Sequence, residues 1–79
     1  MWVRSEDGKT IVDARAIYVD VLDDGQVTMV CTAGDNNDIF ILAQYSSEEE
    51  AVKELDALEK WSNDRLKSRV YRVNRPSFR

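Results

Sequence analysis

The 79-residue chain contains no histidine, one cysteine, one proline and three glycines. Each scarcity excludes something. Without histidine the commonest general base and metal ligand is missing, so no Ser-His-Asp or Cys-His arrangement can be assembled within the chain. A single cysteine, Cys31, excludes an internal disulfide and leaves too few ligands for a zinc site. It fits a reducing, cytoplasmic setting. Gly8, Gly25 and Gly34 are far apart in turn-like contexts, so there is no glycine-rich phosphate loop. The longest purely apolar run, Ile39 to Ala43, is five residues, far short of the ~20 that span a bilayer. Residues Met1 to Asp7 lack an apolar stretch, and no signal peptide is expected there. Asp35-Asn36-Asn37-Asp38 offers oxygen ligands without the spacing of a calcium loop. These absences predict a non-enzymatic chain with no cofactor, no metal site and no membrane segment.

What remains is a chain with hydrophobic residues enough for a core, at 43%. Its first half reads as strands separated by turns. Asp7-Gly8 and Asp24-Gly25 are strong hairpin dipeptides, and Gly34-Asp35-Asn36-Asn37 is a loop. Between them, stretches rich in β-branched and aromatic residues predict strands over 2–5, 10–12, 16–22, 26–33 and 38–45. A bulge or bend is expected at Asp13-Ala14-Arg15, where the long stretch from Thr10 is interrupted. A three-residue loop, Asp23-Asp24-Gly25, would place Leu22 opposite Gln26 and align Ile17, Val19 and Val21 with Cys31, Met29 and Val27. A two-residue loop would mix Asp20 with Met29 on one face, so the apolar pattern selects the longer one.

The period then changes from two to 3.6. Ser46 and Ser47, with Glu49 and Glu50 three residues on, form two overlapping capping boxes at a helix start. Three glutamates there suit the helix dipole. Ala51, Val52, Leu55, Leu58 and Trp61 or Ser62 predict the buried face of a helix over 47–62, with 67 as its alternative end. Lys53, Glu54, Asp56, Glu59 and Lys60 are assigned to the solvent side. A final strand is expected over 70–73. The predicted fold is α+β: one domain over 1–79, an antiparallel meander of four to five strands, one helix on one face and a short C-terminal strand.

Met1-Trp2-Val3-Arg4-Ser5, Ile11-Val12-Asp13-Ala14, the Ile41-Leu42-Ala43-Gln44-Tyr45 strand running into Ser46–Ala51, and Val70-Tyr71 carry a resemblance. Together they resemble a group of short uncharacterised proteins of Gram-positive bacteria and their phages and prophages. Members typically begin Met-Trp-Ile-Arg-Ser and carry an Ile-Leu-Gly-Glu-Tyr strand before an acidic helix start. Here Ala43 stands at the usual glycine, and the basic C-terminal end departs from the pattern. The resemblance implies a phage or prophage context and supplies no mechanism.

Charge is divided along the chain. Residues 1–59 hold 14 acids and four bases, a balance of −10; residues 60–79 hold one acid and seven bases, a balance of +6. Arg65, Lys67, Arg69, Arg72, Arg75 and Arg79 form a basic patch there, interleaved with Trp61, Tyr71 and Phe78. Arginines with aromatics are what phosphate and single-stranded nucleic-acid sites use. The plainer reading is compensation of the acidic body within the chain or between copies, and an acidic or nucleic-acid-binding protein is a further partner class. A pI near 4.7 argues against a double-stranded DNA partner. The acidic half also admits a second class of function, an inhibitor that imitates a phosphate backbone to block a host nucleic-acid enzyme or defence system.

By strict alternation Ile17, Val19, Val21, Val27, Met29, Cys31, Ile39, Ile41 and Ala43 face the helix. Trp2 is expected to cover the edge of that core. Tyr18, Leu22, Val30, Phe40 and Leu42 then occupy the opposite face, which one helix cannot cover. Such an apolar set marks an interaction surface, and a homodimer is the expected occupant.

Overall fold

The computed structural model describes residues 1–63 and 70–73. The predicted α+β architecture is present. Strands β1 (Trp2–Arg4), β2 (Ile11–Val21), β3 (Val27–Ala33) and β4 (Asp38–Tyr45) are followed by helix α1 (Glu48–Ser62) and strand β5 (Val70–Arg72). One five-stranded sheet has the order β4-β3-β2-β1-β5. Every neighbour pair is antiparallel except β1 and β5, which run parallel, so the sheet is mixed rather than a pure meander.

The β2–β3 hairpin follows the turn chemistry. Gly25 takes φ +88°, and the Leu22 and Gln26 backbones are joined by a 2.8 Å hydrogen bond across a three-residue loop. Ile17, Val19 and Val21 pair with Cys31, Met29 and Val27. The interruption in the long β2 is a register shift between Ala14 and Ala16, and the strand continues through it instead of dividing in two. Arg15 is the extra residue. Strand β2 can therefore serve β1 with its first half and β3 with its second.

A second bulge overturns part of the alternation. Met29 lies opposite Ala43, yet Val30 lies opposite Ile41 and Cys31 opposite Phe40, leaving Leu42 as the unpaired residue in β4. One inserted residue exchanges faces for everything before it. Phe40, predicted outside, therefore turns inward and packs half-buried against the core, while Ile39 and Ile41, predicted inside, turn outward. Leu42, also predicted outside, is only 1% exposed. The backbone explains its placement: Glu6 N–H donates to the Leu42 carbonyl over 2.9 Å, so the segment after β1 meets the far edge strand and the sheet curls on itself.

Helix α1 begins where the capping signal places it. Ser47 is the N-cap and accepts a hydrogen bond from Glu50 N–H, while the Ser46 hydroxyl donates to the Glu50 carboxylate. Ala51 and Leu58 are buried, with Leu55 and Trp61 packed beside them. Two assignments along the helix need correction. Val52 is exposed, and Glu54 is buried because Tyr71 on β5 supplies it with a hydroxyl. The alternative helix end at 67 lies outside the described residues.

The core lies inside the curl, under the helix. Val3, Met29, Cys31, Leu42, Ala51 and Val73 are essentially sealed from solvent. Cys31 is thus a core residue. Trp2, expected over the core's edge, instead stands 49% exposed, because Val3 takes the inward position of β1. Val21 points inward at the open end of the sheet and stays half exposed.

Candidate functional site

Strand pairing fixes which residues share the sheet's outer face. Three rows cross β2, β3 and β4: Ala16–Thr32–Ile39, Tyr18–Val30–Ile41 and Asp20–Thr28–Gln44. Of these nine positions only Asp20 is charged, in a chain with one-third charged residues. Ile39 is 65% exposed, Ile41 58% and Tyr18 38%. Val30, flanked by Tyr18 and Ile41, is buried between them.

The predicted interface residues separate accordingly. Tyr18 and Val30 are on this face; Leu22 is exposed one residue past the end of β2, where its backbone still bonds Gln26 across the turn. Phe40 and Leu42 belong to the core side. Ile39 and Ile41 replace them, and the sequence could not show this, since five consecutive apolar residues from Ile39 to Ala43 carry no alternation to read.

The edge of β4 is partly occupied. The Leu42 carbonyl is taken by Glu6, and a bulge bends the strand there. Both features oppose edge-to-edge strand pairing. The face, not the edge, is what the described residues leave open. A cleft of about 290 Å3 adjoins it, lined by Glu6, Asp7 and Ile41 to Gln44. A larger groove of about 390 Å3 runs between α1 and β2, lined by Ile17, Leu55 and Leu58 with Arg15 and Glu59.

Of the predicted basic patch, Arg72 lies on β5, while Arg65, Lys67, Arg69, Arg75 and Arg79 lie outside the described residues. Among the described residues Arg72 has no carboxylate within ion-pair distance. Its cross-strand partner is another cation, Arg4 on β1. An ion pair joins the Met1 amino group to Asp13 at 2.7 Å. Cys31 has its thiol pushed up from the ordinary range by burial, which keeps it protonated and unreactive. Among the described residues no three His, Cys, Asp or Glu side chains converge on a common point that could hold a metal ion.

No protein-family model, curated protein or solved structure matches the chain. Among the described residues, no helix is long and apolar enough to cross a membrane.

Proposed function

We propose that this protein is a non-catalytic interaction module that self-associates through the outer face of β2, β3 and β4. The observation that carries the reading is the row Tyr18–Val30–Ile41 with Ile39 beside it, an apolar set on a face the helix does not cover. A second copy suits this face better than a charged partner does. Its positions are uncharged apart from Asp20, whereas residues 1–59 carry a balance of −10 and would repel a second copy across their charged surface. A two-fold arrangement buries both sets with one self-complementary surface.

Magnitudes set the strength. Three strands ~4.8 Å apart and six residues of ~3.3 Å each give a face of about 280 Å2. Two such faces at ~25 cal/mol per Å2 gain about 14 kcal/mol gross. Association costs of about 4–15 kcal/mol leave at most ~10 kcal/mol, a ceiling of tens of nanomolar, and the polar Asp20, Thr28, Thr32 and Gln44 on the face lower it toward the micromolar range or weaker. The absence of histidine and the sealed Cys31 support the non-catalytic part of the reading. The buried free thiol supports a cytoplasmic setting, and the resemblance of the opening residues supports a phage or prophage context.

A dilution series followed by amide NMR tests the interface. Shifts and line widths should change with concentration at Tyr18, Val30, Ile39 and Ile41, and stay constant on α1. Concentration-dependent changes confined to α1 or β5 would place the contact elsewhere and sink the proposal.

A further inference from the structure

Arg4 and Arg72 occupy the same row of the parallel β1–β5 pair, both exposed. Like charges directly opposite each other across strands are destabilising. Among the described residues no carboxylate lies within ion-pair distance of either guanidinium. Asp7, in the same turn as Gly8, is committed to that turn. Its carboxylate accepts from the Ser5 hydroxyl at 2.6 Å and the Lys9 amide at 2.9 Å, and these bonds hold its pKa below the ordinary range.

Both guanidinium groups converge on one turn. Arg4 Nε donates to the Gly8 carbonyl at 3.0 Å. Arg72 Nη2 stands 3.0 Å from where a Cβ on residue 8 would be, so it packs directly on the glycine. Gly8, at φ +76°, is the residue that leaves room for it. Two residues back along β1, on the same face, Trp2 presents its exposed ring beside the pair. Along a strand that offset is about 6.6 Å.

We propose that Arg4 and Arg72 form a phosphate-binding pair, with Trp2 as the adjoining surface on which an attached base stacks. Paired guanidinium forks match phosphate oxygens, and aromatic rings beside arginine accept bases of any sequence. The ligand chemistry is a phosphate bearing a nucleobase, from either a free nucleotide or a single strand. The site lies on β1 and β5, outside the rows of β2, β3 and β4 that form the proposed interface, so failure of either proposal leaves the other standing.

Calorimetric titration of the full chain with adenosine diphosphate, a short thymidine oligonucleotide and inorganic phosphate tests it. Either base-bearing ligand should bind more tightly than inorganic phosphate, and the tighter of the two identifies the source. Arg4→Gln and Arg72→Gln should each weaken binding at least about tenfold, and Trp2→Ala should abolish the advantage over inorganic phosphate. For the oligonucleotide, two phosphate contacts predict a log–log salt slope of about −1.4. Because the arginines repel each other, the urea midpoint of Arg72→Gln should be unchanged or raised, which a structural role would not allow. No saturable binding by any probe overturns the proposal, as does binding unchanged in both glutamine variants. Equal affinity for inorganic phosphate and the nucleotides overturns it too.

Discussion

Tyr71 donates its phenolic hydrogen to Glu54 Oε2 over 2.6 Å, in a buried contact that ties β5 to α1. Trp61 meets the same ring edge-on, with centroids 5.3 Å apart at 66°. Here a helix that reads as amphipathic carries a carboxylate inward, and a residue 17 positions later makes that tolerable.

The pair carries a pH dependence. Burial first, then the Glu54 hydrogen bond, raise the Tyr71 phenol well above its ordinary value of 10.0. In the unfolded chain the phenol ionises near that ordinary value, while the folded protein keeps its proton. The stabilisation is therefore complete below pH ~10 and falls as pH rises above it. Tyr71→Phe should cost about 1.5–3 kcal/mol at neutral pH, the worth of a hydrogen bond to a charged group. In urea unfolding from about pH 7 to about pH 11, the gap between variant and wild type should narrow in the alkaline range. A gap constant across that range would contradict the assignment.

The bulge in β4 makes opposite predictions for two adjacent residues. Leu42→Ala empties a sealed core position and should cost about 2–5 kcal/mol. Against a total stability of about 4–12 kcal/mol, that is a large share of what holds the fold. Ile41→Ala, on the outer face, should cost under about 1 kcal/mol in the monomer. Strict alternation demands the reverse order, so chemical denaturation of the two variants decides between them.

Cys31 gives a probe of the core that leaves the sequence untouched. Fully buried and held protonated by its surroundings, it should resist a thiol reagent in the folded state. Labelling should proceed only through global unfolding, at a rate that rises with urea in step with the unfolding rate. Rapid labelling in native buffer would show that β3 opens locally and that the core is looser than its packing implies.

Local chemistry made much of this fold legible. The Asp24-Gly25 turn set the β2–β3 register, Ser47 and Glu50 set the helix start, and Asp13-Ala14-Arg15 flagged the bend in β2. These signals act within a few residues. The misplacements share the opposite property. Leu42 bulges because Glu6, 36 positions earlier, bonds its carbonyl, and Glu54 is buried because Tyr71 lies above it. The parallel β1–β5 pair joins the two ends of the described chain, and no local pattern encodes that contact. The Arg4–Arg72 pair was invisible for the same reason, since the two arginines are 68 positions apart and Arg4 lies in the acidic part of the sequence. The candidate interface was half legible: Tyr18 and Val30 followed from the hairpin, and Ile39 and Ile41 needed the bulge.

Sedimentation equilibrium of the wild-type chain beside Ile41→Asp, over tens to hundreds of micromolar, tests the central claim most directly. The wild type should rise from 9.1 kDa toward twice that mass with increasing concentration. Ile41→Asp, which sets a charge in the middle of the uncharged face, should stay monomeric while keeping the far-ultraviolet circular dichroism of the wild type. A wild-type chain that remains 9.1 kDa at every concentration, or a variant that associates equally well, would contradict the account.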